Sequence, residues 1–205
     1  MKIIAFEGID KAGKETVTKA IAEALREKGF RVAVGGFPRY HEPTGKKIKE
    51  VLLEKQEMDQ LAFTKLYEQD RFEAQEEFRI YEEEGYEFLI LDRYVMSNLF
   101  NKVKGVPIEE ILKMQEGLLP ADLHIIVDIT VTESRRRGQA YEVLDKYEKD
   151  IMLLEGVREQ LLSYAAIGHY HNNGLVKHVN GEQKPHKVAE NVLKIIEETF
   201  ELVTN

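Results

Sequence analysis

The sequence predicts an α/β fold of three layers, a five-stranded parallel sheet with helices on both faces. Three observations carry that expectation. Short β-branched runs alternate with stretches of helical apolar spacing along the whole chain. The first strand-like run ends in a glycine-rich turn that leads straight into a helical pattern. The residues suited to chemistry cluster just after the first three strand-like runs, where parallel sheets bind ligands.

The elements follow in order. "KIIAFE" is a short apolar run ending in Gly8, as expected of a buried strand entering a turn. "ETVTKAIAEALREKG" places Val17, Ala20, Ile21, Ala24 and Leu25 on one helical face and stops at Gly29. "FRVAVGGF" is the second strand, closed by Pro38, and "GKKIKEVLLEK" a short helix. From Met58 to Glu84 no Gly or Pro interrupts, which predicts one long helix up to Gly85. "YEFLILD", "LHIIVDIT" and "GLVKHVN" are the third, fourth and fifth strands, with helical segments between them, and "PHKVAENVLKIIEETFELV" closes the chain. Leu61, Leu66 and Phe78 of the long helix face either the chain's own core or a partner.

A chain of 205 residues is one domain or a tight pair; it is read as a single domain over 1–205. Its formal charge of −8 argues against a surface that coats nucleic acid, so positive charge for phosphates must be gathered locally. The absence of cysteine excludes disulfides and thiolate metal sites. No apolar run approaches the roughly 18 residues of a membrane span. "MKIIAFEG" lacks the features of a signal peptide, so a cytoplasmic location is expected.

The stretch "FEGIDKAGKETV" fits the phosphate-binding pattern G-x-x-x-x-G-K-[ST] at Gly8, Gly13 and Lys14, but Glu15 stands where the hydroxyl belongs. A glycine-rich turn entering a helix points several N–H groups at one place, and the helix dipole adds about half a positive charge. Gly8, Ile9, Asp10, Lys11, Ala12, Gly13, Lys14, Glu15 and Thr16 are therefore the expected ATP-binding residues, with Lys14 on the β/γ-phosphates. The usual hydroxyl ligates Mg²⁺. Thr16 offers one a residue late, about 100° around the helix. Glu15 either holds the metal through water or points to solvent as a first-turn acid. The metal is expected mainly on other groups, with Asp92 the first candidate and Asp10 beside it.

Further clusters lie downstream. In "YEQDRFEA", Tyr67 and Arg71 are i and i+4 and share a face, suited to stacking on a planar base and bonding its carbonyl edge; a partly buried surface pair is the ordinary alternative. "DRYVMSN" sets Asp92 and Arg93 at a strand end, for metal and phosphate, or for a plain salt bridge. "ESRRRGQAYEVLDKYE" packs Arg135, Arg136 and Arg137 before a glycine and a polar loop; it reads as a lid over about 135–148, or as a solvated helix C-terminus.

Together, "FEGIDKAGK", "FPRY", "DRYVMSN", "LPADLHIIVDI" and "DKYEKD" resemble the thymidylate kinases, P-loop enzymes that phosphorylate dTMP, over essentially the whole chain. The resemblance implies a P-loop NTPase fold, ATP and a pyrimidine deoxynucleoside monophosphate as substrates, Mg²⁺, and a homodimer packed through helices beside the sheet. It implies that Asp10 meets the deoxyribose 3′-hydroxyl or the metal region. Phe37, Pro38 and Arg39 would lie beside the acceptor phosphate and Arg93 would grip it. Tyr67 would stack on the base in place of a phenylalanine, Arg71 would bond its carbonyl, and Ser97 and Asn98 its N3 and O4 edge. Tyr147 and Glu148 would end the lid near the sugar. Asn101 stands where some relatives place a tyrosine against the 2′ face; with Tyr67, this departure bears on which sugar and pyrimidine are accepted, 5-modified deoxyuridylates included. Bacterial members with a charged residue after the loop lysine exist and look to the acceptor side for metal contacts.

The reaction implied is transfer of the γ-phosphoryl of ATP to a phosphate oxygen, which demands positioning and charge rather than a base. Lys14, Mg²⁺, Arg93 and one or more of Arg135, Arg136 and Arg137 would share that work. Two rivals stand beside it. A deoxynucleoside kinase needs a carboxylate base, for which Glu7 is available. A catalytically weak nucleotide-binding scaffold or sensor draws its support from Glu15.

Overall fold

The structure is a computed structural model that describes residues 1–139 and 148–202. The strands are β1 (Lys2–Glu7), β2 (Val32–Gly36), β3 (Phe88–Asp92), β4 (Leu123–Asp128) and β5 (Leu175–Asn180). All pair in parallel, in the order β2-β3-β1-β4-β5. The α-helices are α1 (Lys14–Glu27), α2 (Pro43–Leu52), α3 (Gln60–Glu73), α4 (Gln75–Glu83), α5 (Leu99–Val103), α6 (Ile108–Met114), α7 (Val131–Gly138), α8 (Ile151–Ile167) and α9 (Pro185–Phe200). A 3₁₀ turn, Val95–Asn98, runs into α5.

Alternation along β1 explains its unbroken apolar run. Ile4 and Phe6 pack with Val17, Ile21 and Leu25 of α1 and Val188, Val192 and Ile196 of α9. Ile3 and Ala5 face the other way, with Phe78, Leu89, Leu91, Tyr94 and Tyr170. A strand buried on both faces needs side chains of both parities to be apolar. A third cluster joins α2, α3 and α8 through Ile48, Val51, Leu52, Phe63, Leu66, Tyr67 and Leu153. Leu66 and Phe78 therefore belong to the chain's own core, while Leu61 is 40% exposed.

The helix expected over Met58–Glu84 is two. Asp59 caps α3 by accepting from the N–H groups of Leu61 and Ala62, both at 3.0 Å. At Ala74 the ladder breaks. The Arg71 carbonyl takes the Ala74 N–H at 3.2 Å and the Gln75 side-chain Nε2 at 2.9 Å. The same Gln75 amide accepts from Leu119 N at 2.8 Å. A tertiary bond thus ends α3 at a residue of high helix propensity.

The sheet order puts β1 between β3 and β4, so the chain crosses from one side of β1 to the other after β3. The crevice at the carboxyl ends of β1, β3 and β4 is the topological switch point where such sheets bind ligands. One wall is α8, anchored where Arg158 donates to both oxygens of Asp128 at the end of β4, at 2.7 and 3.0 Å.

Candidate active site

The turn from β1 to α1 is shaped by glycine. Gly8 has φ +148°, and a Cβ there would lie 2.6 Å from the Val127 carbonyl oxygen of β4, so no side chain fits. Gly13, at φ +94°, caps α1 with no side chain accepting from the first turn, leaving those N–H groups for an anion. Arg137 braces the loop from behind: its NH1 donates to the carbonyls of Lys11 and Ala12, both at 3.2 Å, and its NH2 to Gly181 O at 2.8 Å. Ser134 Oγ donates to Asp10 O at 2.7 Å.

Lys14 is buried and its Nζ donates to Ile9 O at 2.9 Å. Burial, with the nearby Arg93 cation, lowers its pKa to about 8. Arg93 sits in the left-handed region at φ +68°. Its NH1 donates to Gly8 O at 3.1 Å and its NH2 pairs with Asp10. Burial opposes the Arg93 charge, but Asp10, Asp92 and Glu7 together raise its pKa. Burial likewise opposes the Asp10 carboxylate, and Arg93, Lys14 and Lys11 outweigh it, so the Asp10 pKa is lowered. Glu7 is fully buried; desolvation raises its pKa although it accepts from Tyr94 N at 2.8 Å and from Ser97 Oγ.

Two clefts meet at this cluster. The wider one is lined by Asp10, Lys11, Ala12, Gly13, Lys14, Glu15, Thr16, Phe37, Asp92, Arg136 and Arg137, among others. The narrower one runs from the loop toward α8. Gly8, Ile9, Glu7 and Ser97 stand at its polar end, and Tyr67, Met96, Phe100, Leu153, Leu154, Val157 and Leu161 form its apolar body. Asp10, Pro38, Tyr40 and Arg93 line both. A junction carrying fixed charge therefore joins the glycine-rich loop to a largely apolar slot.

Several expected residues lie elsewhere. Arg39 turns away from the junction: its Nε donates to Asp70 Oδ1 at 2.9 Å and its NH2 to Glu73 at 3.2 Å. Tyr40, its neighbour, takes the place at the cleft. Arg71, Asn98 and Asn101 do not line the narrow cleft; all three are fully buried behind it. Arg71 lies between the Phe37 and Tyr67 rings, 5.8 Å from each centroid. Tyr147 lies outside the described residues. Glu148 pairs with Lys11 at 2.8 Å. Arg136 donates to both oxygens of Glu133 at 2.7 Å, whereas the Arg135 side chain makes no hydrogen bond or ion pair with another described residue and lines a cleft beside Asp10, Lys11 and Glu148.

Glu15 is turned to solvent, its side chain 74% exposed and paired with Lys19 at 2.6 Å. That is the arrangement of a first-turn helix acid. Asp10 is engaged by Arg93. Asp92 differs: the residue lines the wide cleft, and its buried Oδ1 has no hydrogen-bond partner. A bare carboxylate oxygen beside a phosphate loop suits a Mg²⁺ ion, which takes one or two carboxylates and completes its shell with water and phosphate. Among the described residues no group of three or more His, Cys, Asp or Glu could hold a metal by itself.

The α8 stripe of Leu153, Leu154, Val157 and Leu161 escaped the sequence analysis, as did Tyr40, Met96 and Phe100. Their spacing reads equally as core.

Comparison with known proteins places these features in one family. Residues 6–192 match the family model described as thymidylate kinase. A probable thymidylate kinase of Pyrobaculum calidifontis is 34% identical over 197 residues, 95% of each chain. A probable thymidylate kinase of Archaeoglobus fulgidus is 33% identical over 213 residues, 99% of this chain and 98% of the other. A thymidylate kinase of Desulfotalea psychrophila is 30% identical over 155 residues, 74% and 76% of the two chains. The match spans the phosphate loop, the Arg93 turn and the arginine helix, on a sheet of the order those features need, and the chain belongs to the thymidylate kinase family.

Proposed function

We infer that this chain transfers the γ-phosphoryl group of ATP to dTMP or a closely related pyrimidine deoxynucleoside monophosphate. The observation that carries this reading is the sharing of Asp10, Pro38, Tyr40 and Arg93 between two clefts. Two phosphorylated nucleotides end to end need such a junction, and a single-nucleotide scaffold does not.

The geometry supports the following roles. The α1 N-terminus and Lys14 hold the ATP phosphates, and Arg93 meets the acceptor phosphate. Tyr67 and Phe100 flank the pyrimidine in the apolar slot. Asp92 would hold Mg²⁺, which when bound spreads charge from the β- and γ-oxygens. Of the three α7 arginines, Arg137 supports the loop and Arg136 is tied to Glu133, so Arg135 supplies the added positive charge. The wider reading has one kinase domain over 1–205, with a lid over about 135–148 whose residues 140–147 lie outside those described. It also includes a homodimer through exposed Leu61, Phe72 and Ile80 on α3 and α4. No helix among the described residues is long and apolar enough to cross a membrane; a cytoplasmic location suits its substrates.

A deoxynucleoside kinase is favoured less, because both Glu7 oxygens accept from the protein and the arginine beside them calls for an anionic acceptor. A coupled ADP-release assay with ATP and Mg²⁺ separates the readings. Turnover with dTMP but not thymidine is expected. Turnover with thymidine alone, or tight ATP binding with no turnover, overturns the proposal.

A further inference from the structure

Behind the apolar lining of the narrow cleft lies a buried polar chain that no step above uses. Glu68 is 2% exposed, and Arg71, Asn98 and Asn101 are wholly buried. Glu68 Oε1 accepts from Asn98 Nδ2 and, at 2.9 Å, from Gln115 Nε2; its Oε2 accepts from Arg71 NH1 at 3.4 Å. Asn98 Oδ1 in turn accepts from Asn101 Nδ2, and Asn101 Oδ1 from Gln60 Nε2.

The direction of that chain is dictated from one end. An amide's oxygen and nitrogen are nearly the same size, so sterics allow either orientation, and only the hydrogen-bond partners decide. A carboxylate accepts and does not donate. Asn98 must therefore turn its NH₂ toward Glu68. Its oxygen then faces Asn101, which must donate, and the Asn101 oxygen is left to receive Gln60. Removing the carboxylate lifts that constraint on the direction of the Asn98 amide.

We infer that Glu68 is a positioning residue for base recognition, fixing Arg71 as a donor and the Asn98 amide in one sense. The inference rests on the proposed function, in which Tyr67 and Phe100 flank the pyrimidine: Arg71, 5.8 Å from the Tyr67 ring, and Asn98, next to Ser97 of the cleft, are the polar groups directly behind that lining. Thymine offers an acceptor at O4 and a donor at N3, and cytosine the reverse at both positions. Arg71 has donors alone, which suit O4 and oppose a 4-amino group. A free asparagine could turn over to accommodate cytosine; one held by Glu68 does not, so the wall rejects the wrong edge as well as welcoming the right one.

The test is kcat/KM for dTMP and for dCMP in wild type and in Glu68→Gln, which keeps volume and one acceptor oxygen. The dTMP/dCMP ratio is expected to fall about tenfold or more, with KM for ATP unchanged. A merely structural role would depress both acceptors equally. The double variant Glu68→Gln/Asn101→Asp moves the carboxylate to the other side of Asn98, reverses the chain and is expected to lower the ratio further; it also serves where the single variant does not melt cooperatively. Ratios within about twofold of wild type in the folded variants, or a wild type that uses both acceptors equally, overturn the inference. A wild type inactive on dTMP removes the functional reading and this one with it.

Discussion

Arg71→Ala separates the acceptor site from the ATP site, and the structure sets its scale. The guanidinium is wholly buried between two aromatic rings, donates to Tyr94 O at 2.8 Å and neutralises Glu68 at 3.4 Å. Removing one partner of a buried ion pair costs about 3–5 kcal/mol, chiefly through the charge left behind. Glu68 keeps the amide donors of Asn98 and Gln115, which places this case near 3 kcal/mol. For a domain of this size the melting temperature should fall by about 6–12 °C. Loss of a charged donor to the base carries about 1.5–3 kcal/mol, so kcat/KM for dTMP should drop roughly tenfold to a hundredfold. The assay is ADP release at 25 °C, varying dTMP at saturating ATP and then the reverse, beside a thermal melt. Arg71→Met, which retains bulk, is measured in parallel. A folded variant with unchanged KM for dTMP, or with equal losses toward both substrates, refutes the assignment of Arg71 to the base.

Three other outcomes are expected. With the Lys14 pKa lowered to about 8, kcat/KM for ATP should decline as pH rises through that value, because the ammonium is charged below it and neutral above; the limb in kcat should lie higher, since bound phosphates favour the charged form. Stability runs the opposite way: between about 8 and 10.5 the unfolded chain keeps the proton that the folded chain has lost, so stability rises with pH there, and a melt series that falls contradicts the burial of Lys14. Glu15→Ser should keep substantial activity and shift stability by no more than about 0.5 kcal/mol, the scale of a helix-surface pair; a hundredfold collapse, on the order of a lost metal ligand, would return Glu15 to the metal. Arg135→Ala should lower kcat by about 30-fold to 1,000-fold, and Arg136→Ala by less than about threefold; equal losses in a steady-state assay would mean that the Glu133 pairing does not hold Arg136 back.

The fold was legible wherever one local requirement chose one residue type. Both parities of β1 are apolar because both faces are covered, and Gly8 must be glycine because the Val127 carbonyl stands 2.6 Å from where a Cβ would go. The break at Ala74 was not legible. Alanine is the best helix former, and what ends α3 is a glutamine bound to Leu119, 44 residues away. The partners of Arg39 were hidden for a similar reason. The resemblance sets it beside the acceptor phosphate, whereas in the fold Asp70 and Glu73, 31 and 34 residues on, take its guanidinium.

The base wall shows why a site can be half visible. Tyr67 and Arg71 announce themselves because i,i+4 spacing puts them on one face. Glu68 follows Tyr67 by one residue, about 100° around the helix, where an acid is ordinarily solvated. That inference assumes a broad wet side, and the wet side of α3 is narrow: Leu61, Lys65, Gln69, Phe72 and Glu73 are exposed, whereas Thr64, Glu68 and Asp70 are buried along with Phe63, Leu66, Tyr67 and Arg71. A helix enclosed on most sides by α2, the 3₁₀ turn, α5 and α6 must satisfy its polar groups internally. The amides of Asn98 and Gln115 do this for Glu68, and neither is near it in sequence. The residues that touch a substrate can thus be guessed from local pattern, whereas those that orient them depend on which segments the fold brings round to meet a buried charge.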